Sequence, residues 1–130
     1  MNILITGCNG QLGTEMRLLS EKHQEHRYIF TDVAELDITD FNAILTLMQK
    51  EKVETVVNCA AYTNVDKAEQ DEQTALLLNA TAVENLGKAA SMTGAKIIHI
   101  STDYVFNGNH CLPYKETDPT DPQTAYGRTK

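Results

Sequence analysis

Two residues late in the sequence have the types and the spacing for proton transfer. Tyr126 and Lys130 stand four residues apart, so a helix would place both side chains on one face. Tyrosine, whose ordinary pKa is about 10, is a poor acid or base near pH 7 unless a cation stabilises its phenolate. An ammonium on the same helix face can supply that cation. The alternative is a tyrosine and a lysine on a solvated helix surface.

A glycine-rich segment near the start has the pattern of a phosphate-binding loop. Gly7, Gly10 and Gly13 stand between a short apolar run, residues 3–5, and a helix predicted over residues 11–22. There the first glycine permits a tight turn, the second lets the backbone approach a pyrophosphate, and the third lets helix and strand pack closely. The amides at the helix start favour the phosphate charge. The candidate contacts are Gly7, Asn9, Gly10, Gln11, Leu12 and Gly13. The alternative is that the glycines serve only a tight turn.

An acidic residue follows the second predicted strand. Asp32 stands nineteen residues after Gly13, where a carboxylate can accept a hydrogen bond from a ribose 2′-hydroxyl. A carboxylate repels a 2′-phosphate, and neither Val33 nor Ala34 supplies a cation. The sequence therefore favours NADH over NADPH. The pair Asp37-Ile38 is predicted to flank the adenine, with a helix-entry cap as the alternative role for Asp37.

Short β-branched runs alternate with helical patterns along the chain, which indicates an α/β fold with a doubly wound parallel sheet. Thr39 is predicted to cap the second helix, and Gly94 to end a long helix over residues 73–92. Asp121 and Pro122 are predicted to begin a last helix. Strands are predicted over residues 3–5, 28–31, 55–59 and 96–101.

A hydroxyl pair closes the fourth predicted strand. In such sheets ligands bind at the carboxyl ends of the strands, at the switch point where the strand order reverses. We expect this switch point to lie between the first and fourth strands. Thr102 is therefore placed to hydrogen-bond a substrate carbonyl near the cofactor. The alternative is that Ser101 and Thr102 only cap the strand end. On the long helix, the amide of Asn79 is predicted to point inward and to need partners, because Asn79 shares a stripe with four apolar residues. These residues are Leu76, Val83, Leu86 and Ala90.

Composition narrows the classes of partner. The 130 residues carry a formal charge of -7, which disfavours nucleic acid and anionic membrane surfaces. Three widely spaced cysteines without a CxxC motif favour reduced thiols and a cytoplasmic protein, and the start lacks the features of a signal peptide. His23 and His26 are predicted to be a solvated pair, so no metal site is expected.

Several segments together resemble the extended short-chain dehydrogenases/reductases. They are the glycine loop, Asp37-Ile38, residues 58–69 (NCAAYTNVDKAE), residues 78–81 (LNAT), residues 101–106 (STDYVF) and residues 126–130 (YGRTK). The resemblance covers the whole chain and implies a Rossmann-type NAD(P)-binding domain. The implied activity is reduction of the C4 carbonyl of a dTDP-linked sugar with NADH or NADPH.

The resemblance also implies roles for single residues. Catalysis falls to Thr102, Tyr126 and Lys130, and the last two also contact the cofactor. Asn79 is implied to be one of the cofactor-binding residues, and to brace the backbone or relay a proton near the lysine. The implied cofactor wall is Ala60, Ala61 and Tyr62, and the implied sugar-nucleotide contacts are Thr63, Val65, Thr102, Asp103 and Tyr104. Some members dimerise through a metal held partly by a glutamate matching Glu15, which leaves a homodimer open here.

Two other functions stay open at this point. One is a nucleotide-binding regulatory subunit related to the reductases, and the other is a nucleotide-sugar epimerase or dehydratase. The family's chains are considerably longer, so residues 1–130 are expected to form an incomplete, C-terminally truncated NAD(P)-binding domain. That domain is expected to be inactive alone as a reductase, to retain weak binding of adenine nucleotides, and to cover its fourth-strand edge by association.

Overall fold

The computed structural model describes residues 1–109 and 111–130. Its centre is a sheet of four parallel strands in the order β2-β1-β3-β4. The predicted parallel α/β architecture is confirmed, although β3 ends one residue before its predicted limit at Cys59 and β4 ends two residues before its predicted limit at Ser101. The strands are β1 (Asn2–Thr6), β2 (Arg27–Thr31), β3 (Thr55–Asn58) and β4 (Lys96–His99).

The helices are α1 (Gln11–Ser20), α2 (Phe41–Lys50), α3 (Val65–Ala68), α4 (Glu72–Leu76), α5 (Ala82–Thr93) and α6 (Ala125–Thr129). A π-helical turn, Leu77–Thr81, joins α4 to α5, and a 3₁₀ turn, Asp103–Val105, follows β4. Within residues 1–109 and 111–130, no helix is long and apolar enough to cross a bilayer.

Two predicted helix starts are wrong. The N-cap of α2 is Asp40, which accepts a hydrogen bond from the Ala43 backbone N–H at 3.0 Å. Thr39 instead donates its N–H and its hydroxyl to the Asp37 carboxylate, so it is held in the turn before the helix. The last helix is capped by Thr124 rather than by Asp121, which lies three residues too early. Gly94 ends α5 in the left-handed region, with a φ of 72°, as predicted.

The sheet has a different core on each face. Towards α2 and α5, buried aliphatic side chains of both helices pack on Leu4 and Val56, with Ile44 and Leu86 fully buried. Towards α1, a smaller cluster joins Ile3, Ile5, Cys8 and Val57 to Met16. This two-sided burial of parallel strands is what a continuous apolar run requires. On β4 the cover is thinner, since Ile98 is 52% exposed.

The switch point of the sheet lies between β1 and β3. Both strands pair directly, with Thr6 opposite Asn58, and β4 lies outside β3. The prediction that the first and fourth strands flank this point is therefore wrong. The connection after β1 leads to β2 on one side of β1, and the connection after β2 returns past β1 to β3 on its other side. A ligand crevice at the carboxyl ends of β1 and β3 follows from this order.

Gly87 within α5 and Gly94 at its end offer a test of what stabilises this helix. A Cβ built on Gly87 or on Gly94 meets nothing within 4 Å, but only Gly94 has a positive φ. We expect Gly87→Ala to stabilise the fold by about 0.5–1 kcal/mol, because alanine is the better helix former. Gly94→Ala should destabilise it by about 1 kcal/mol, because the left-handed region strains a side chain. Urea unfolding at an unchanged m-value measures both, and equal effects would contradict the backbone explanation.

Candidate active site

The glycine loop packs so tightly that two of its glycines have no room for a side chain. Gly7 has a φ of 60°, and a Cβ there would lie 2.6 Å from the Ala60 backbone nitrogen. A Cβ on Gly13 would overlap the Gly7 carbonyl oxygen and lie 2.5 Å from the Cys8 Cα. Gly10 is looser, since its nearest atom would be 3.4 Å away. The loop therefore brings the start of α1 directly onto the end of β1.

The start of α1 is open towards the cleft. Gly10 is its N-cap, and no described side chain accepts a hydrogen bond from the first turn. Unpaired N–H groups and the positive end of a ten-residue helix favour a phosphate at this position. Gln11 and Leu12, both predicted to contact the cofactor, line the cleft beside these N–H groups. These features fit the pyrophosphate of a dinucleotide.

A cavity of about 310 Å³ extends from the loop towards β2. Asp32 lines one side of this cavity. Its carboxylate accepts hydrogen bonds from the Asn9 N–H at 3.0 Å and from the Val33 N–H at 2.8 Å. Its wall includes Asp37 as a second acid and no lysine or arginine among its described residues. The predicted cofactor residues that line it are Gly7, Gly10, Asp32, Asp37, Ile38, Ala60 and Ala61.

A second cavity, of about 340 Å³, continues the first one towards β4. Gly10 and residues 59–61 line both, so the two cavities form one cleft across the carboxyl ends of the strands. Tyr126 and Lys130 line the second cavity, together with Thr63 and Ser101. The structure thus brings the two residues of the proton-transfer pair to the same cleft as the glycine loop.

Lys130 is fixed within this cavity. Its Nζ donates a hydrogen bond to the Ile100 carbonyl oxygen at 2.7 Å. Burial lowers the pKa of Lys130 from the ordinary value for lysine, because the charged ammonium loses water. Tyr126 contacts the Tyr104 ring edge to face, with 5.7 Å between the ring centroids. A cation and a phenol therefore reach the cleft from one short helix.

The other predicted residues are distributed around this cleft. The Thr102 hydroxyl accepts a hydrogen bond from the Tyr104 N–H and caps the 3₁₀ turn, while its neighbour Ser101 lines the second cavity. Asp103 and Tyr104 line a third cavity of about 250 Å³. Val65 begins α3. The roles of these residues as substrate contacts stay predictions.

Asn79 lies behind residues 60–62, the predicted cofactor wall. It is 3% exposed and its amide is bound to the Tyr62 backbone, so the predicted inward position and its partners are present. Its neighbour Leu78 lines the first cavity in its place. Leu76, assigned to the same inward stripe, is 48% exposed, because the π-helical turn rotates the helix faces on its two sides.

Sequence reasoning missed three polar side chains, which are the last residues of three neighbouring strands. Thr6 of β1 donates its hydroxyl to Asn58 of β3 at 2.6 Å, and the Asn58 Nδ2 lies 3.0 Å from the His99 Nδ1 of β4. An amide nitrogen can only donate, so His99 accepts at Nδ1. Each residue interrupts or ends an apolar run, and the strand register is what joins them.

His99 gives the fold a pH dependence. Burial and the nearby charge of Lys130 lower the pKa of His99 from its ordinary value of 6.5. Below pH 6.5 the unfolded chain then binds a proton before the folded chain does, so stability falls as the pH falls through that window. The slope can reach at most about 1.4 kcal/mol per pH unit, the limit for one proton.

A His99→Asn variant is the matched comparison for this prediction. It keeps an acceptor for Asn58 and loses the titrating ring. Urea unfolding between pH 5 and pH 8 should show a steeper loss of stability in the wild type than in the variant. Parallel curves would contradict the assignment, because the other histidines are common to both proteins.

Sequence reasoning also missed the contacts that hold the short helix α6 in place. Thr124 caps it, and Glu69 accepts a hydrogen bond from the Ala125 N–H at 2.7 Å. Arg128 donates two hydrogen bonds to Glu72, each of 3.0 Å. A Cβ on Gly127 would overlap the Tyr104 carbonyl oxygen, so only glycine lets the helix approach the 3₁₀ turn.

Cysteines and candidate metal ligands complete the description of the site. All three cysteines are free, and Cys59 lines both cavities of the cleft. In the part of the chain that the structure describes, no group of three or more His, Cys, Asp or Glu side chains is placed to hold a metal ion. His23 and His26 both contact Glu25, but only His23 is exposed, since His26 is half-buried with its Nδ1 shielded from solvent; the predicted solvated pair is therefore only partly confirmed.

A parallel sheet whose strand ends carry a glycine loop and an acid after β2, with a Tyr–Lys pair in the same cleft, defines a Rossmann-type dinucleotide-binding fold. The profile of the family described as "RmlD substrate binding domain" matches residues 1–130. The chain belongs to this family.

Named relatives agree with this assignment. The dTDP-4-dehydrorhamnose reductase of Salmonella typhimurium is 42% identical over 100% of this chain and 44% of its own length. The solved dTDP-4-dehydrorhamnose reductase of Clostridium acetobutylicum has a TM-score of 0.94 and 46% identity, over 99% of this chain and 46% of that one. The Bacillus anthracis enzyme, solved in complex with NADP, has a TM-score of 0.92 and 36% identity, over 98% of this chain and 45% of that one. The chain thus spans less than half the length of these relatives.

Proposed function

We propose that this chain supplies the cofactor-binding and proton-transfer part of an NAD(P)H-dependent reductase. The proposed reaction is reduction of the C4 carbonyl of dTDP-4-dehydro-L-rhamnose to give dTDP-L-rhamnose. The observation that carries the proposal is the single cleft in which Tyr126 and Lys130 lie beside the glycine loop. The names of the relatives supply the substrate class.

The residues of the cleft divide the chemistry between them. When bound, the nicotinamide supplies the hydride that reaches C4. Tyr126 donates the proton that the carbonyl oxygen takes up, and Lys130 stabilises the phenolate that remains. Thr102, as the resemblance implies, orients the carbonyl by a hydrogen bond. The start of α1 and residues 59–61 hold the cofactor in the cleft.

The proposed function is tested by a direct assay. Full-length protein, dTDP-4-dehydro-L-rhamnose and NADH or NADPH are combined, and the loss of absorbance of the reduced cofactor is followed. Formation of dTDP-L-rhamnose with one cofactor oxidised per product supports the proposal. No oxidation with either cofactor overturns it, and tight binding of another enzyme would then favour the regulatory alternative.

We further propose a preference for NADH over NADPH and a cytoplasmic location. Two acids and no described cation line the cavity beside β2, so a 2′-phosphate would meet repulsion there. The location is supported by three free cysteines, one of them the exposed Cys111.

Titration with each cofactor measures this preference. We expect NADH to bind about fivefold more tightly than NADPH, because charge repulsion of this kind is worth on the order of 1 kcal/mol. Asp32→Ala should weaken NADH binding and improve NADPH binding. Glu116→Ala, which removes an exposed acid outside both cavities, changes the net charge equally and should alter neither. Tighter NADPH binding by the wild type would overturn the preference.

A further inference from the structure

A buried hydroxyl lies between the two residues of the proton-transfer pair. Thr129 is 2% exposed, in the last turn of α6 immediately before Lys130. Its Oγ1 donates a hydrogen bond to the Tyr126 carbonyl oxygen at 2.8 Å. It also accepts one from the Asn79 Nδ2 at 3.1 Å. Because a carbonyl can only accept and an amide nitrogen can only donate, both roles of the hydroxyl are fixed.

The partner of this hydroxyl is itself fully engaged. The Asn79 Oδ1 accepts a hydrogen bond from the Tyr62 N–H at 2.8 Å, and its Nδ2 donates to the Tyr62 carbonyl oxygen at 3.0 Å. The second N–H of the amide is the one that reaches Thr129. Asn79 lies in the π-helical turn, and such turns are rare in proteins but frequent at functional sites.

The bond between Asn79 and Thr129 joins two parts of the cleft. On one side, Tyr62 directly follows the wall residues Ala60 and Ala61. On the other side, Thr129 is covalently next to Lys130 and hydrogen-bonded to the backbone of Tyr126. Movement of α6 against the wall would therefore break a hydrogen bond between two buried groups, which makes it unfavourable.

We propose that Thr129 is a positioning residue, whose hydroxyl holds Tyr126 and Lys130 in register with the cofactor wall. The proposal deepens the proposed function and rests on it for its kinetic consequence. A small misplacement of reacting groups is enough to cost about 100-fold in rate, so a single buried bond at this place has a large effect.

The kinetic test compares Thr129→Val with Thr129→Ser in the full-length protein. Valine keeps the shape and removes the hydroxyl, and serine restores the hydroxyl. We expect valine to lower kcat about 10- to 100-fold, to leave the KM for NADH within about threefold, and to move the basic limb of the pH profile upward. Serine should return all three towards wild type. Thr93→Val removes a hydroxyl that bonds only within α5 and should change none of them.

A second measurement does not depend on turnover. The pKa of Lys130 is followed by NMR after reductive ¹³C-methylation of the lysines. If the hydroxyl holds α6 in place, the pKa of Lys130 stays low in the wild type and in Thr129→Ser, and rises towards 10.5 in Thr129→Val.

The outcomes separate the two proposals. A wild-type protein that does not reduce the sugar overturns the proposed function, while the NMR titration still decides the role of Thr129. A Thr129→Val protein with only a lower Tm, an unchanged pH profile and an unchanged Lys130 pKa overturns the positioning role. Failure of serine to restore both readouts overturns it as well.

Discussion

Replacing Tyr126 with Phe is expected to lower kcat by about 10²- to 10⁴-fold in the full-length protein, the usual contribution of a positioned general acid. The substitution removes only the phenol hydroxyl. The ring that contacts Tyr104 remains, and so do the contacts of Glu69 and Glu72 that clamp α6. The dissociation constant for NADH should therefore change by less than about twofold.

Tyr28→Phe is the matched control for this prediction. Tyr28 lies on β2, stacked on Phe30, and lines neither cavity of the cleft. It should leave kcat and NADH binding unchanged. Steady-state kinetics and a fluorescence titration of NADH measure both variants. Turnover of Tyr126→Phe at the wild-type rate would remove this residue from the role of proton donor.

Gly13→Ala is expected to destabilise the fold by about 3 kcal/mol, the upper range for forcing extra volume into a packed site. The new methyl would overlap the Gly7 carbonyl oxygen and approach the Cys8 backbone, and neither can move without separating α1 from β1. Since small domains are stable by only about 5–15 kcal/mol, this is a large share. Nucleotide binding should be lost with it, because the start of α1 is displaced.

Gly10→Ala separates packing from ligand contact. Its Cβ would lie 3.4 Å from the nearest atom, so the free energy of unfolding should fall by no more than about 1 kcal/mol, the cost of alanine in place of glycine at the N-cap of α1. Gly10 lines both cavities, however, so the methyl should weaken nucleotide binding. Urea unfolding and NADH titration of the two variants test the pair. A Gly13→Ala protein as stable as Gly10→Ala would contradict the packing described for the loop.

The predictable parts of this protein are those that one stretch of chain specifies by itself. Gly7, Gly10 and Gly13 have meaning only between a strand and a helix, and both are visible as local patterns of apolar residues. The spacing of Tyr126 and Lys130 is equally local. Gly94 ends its helix through its own backbone freedom, so its role also depends on no distant residue.

The parts that sequence reasoning missed depend on partners far along the chain. Asn58 contacts His99 only because β3 and β4 pair in one particular register. The contacts of Glu69 and Thr129 depend on where α6 docks. The cap of α2 was misassigned for a smaller reason, since Thr39 and Asp40 are both good caps and the Asp37 turn decides between them.

The central place of β1 has a consequence for the order in which the chain assembles. Asn2 pairs opposite Arg27 of β2, but Ile3 pairs opposite Thr55 of β3, so the second pairing closes a much longer loop. Such distant parallel pairing forms late in folding. Gly7 packs against Ala60, which follows β3. During synthesis the glycine loop therefore emerges early but reaches its final shape only after residue 60 has left the ribosome, and gain of nucleotide binding would report that β3 has docked.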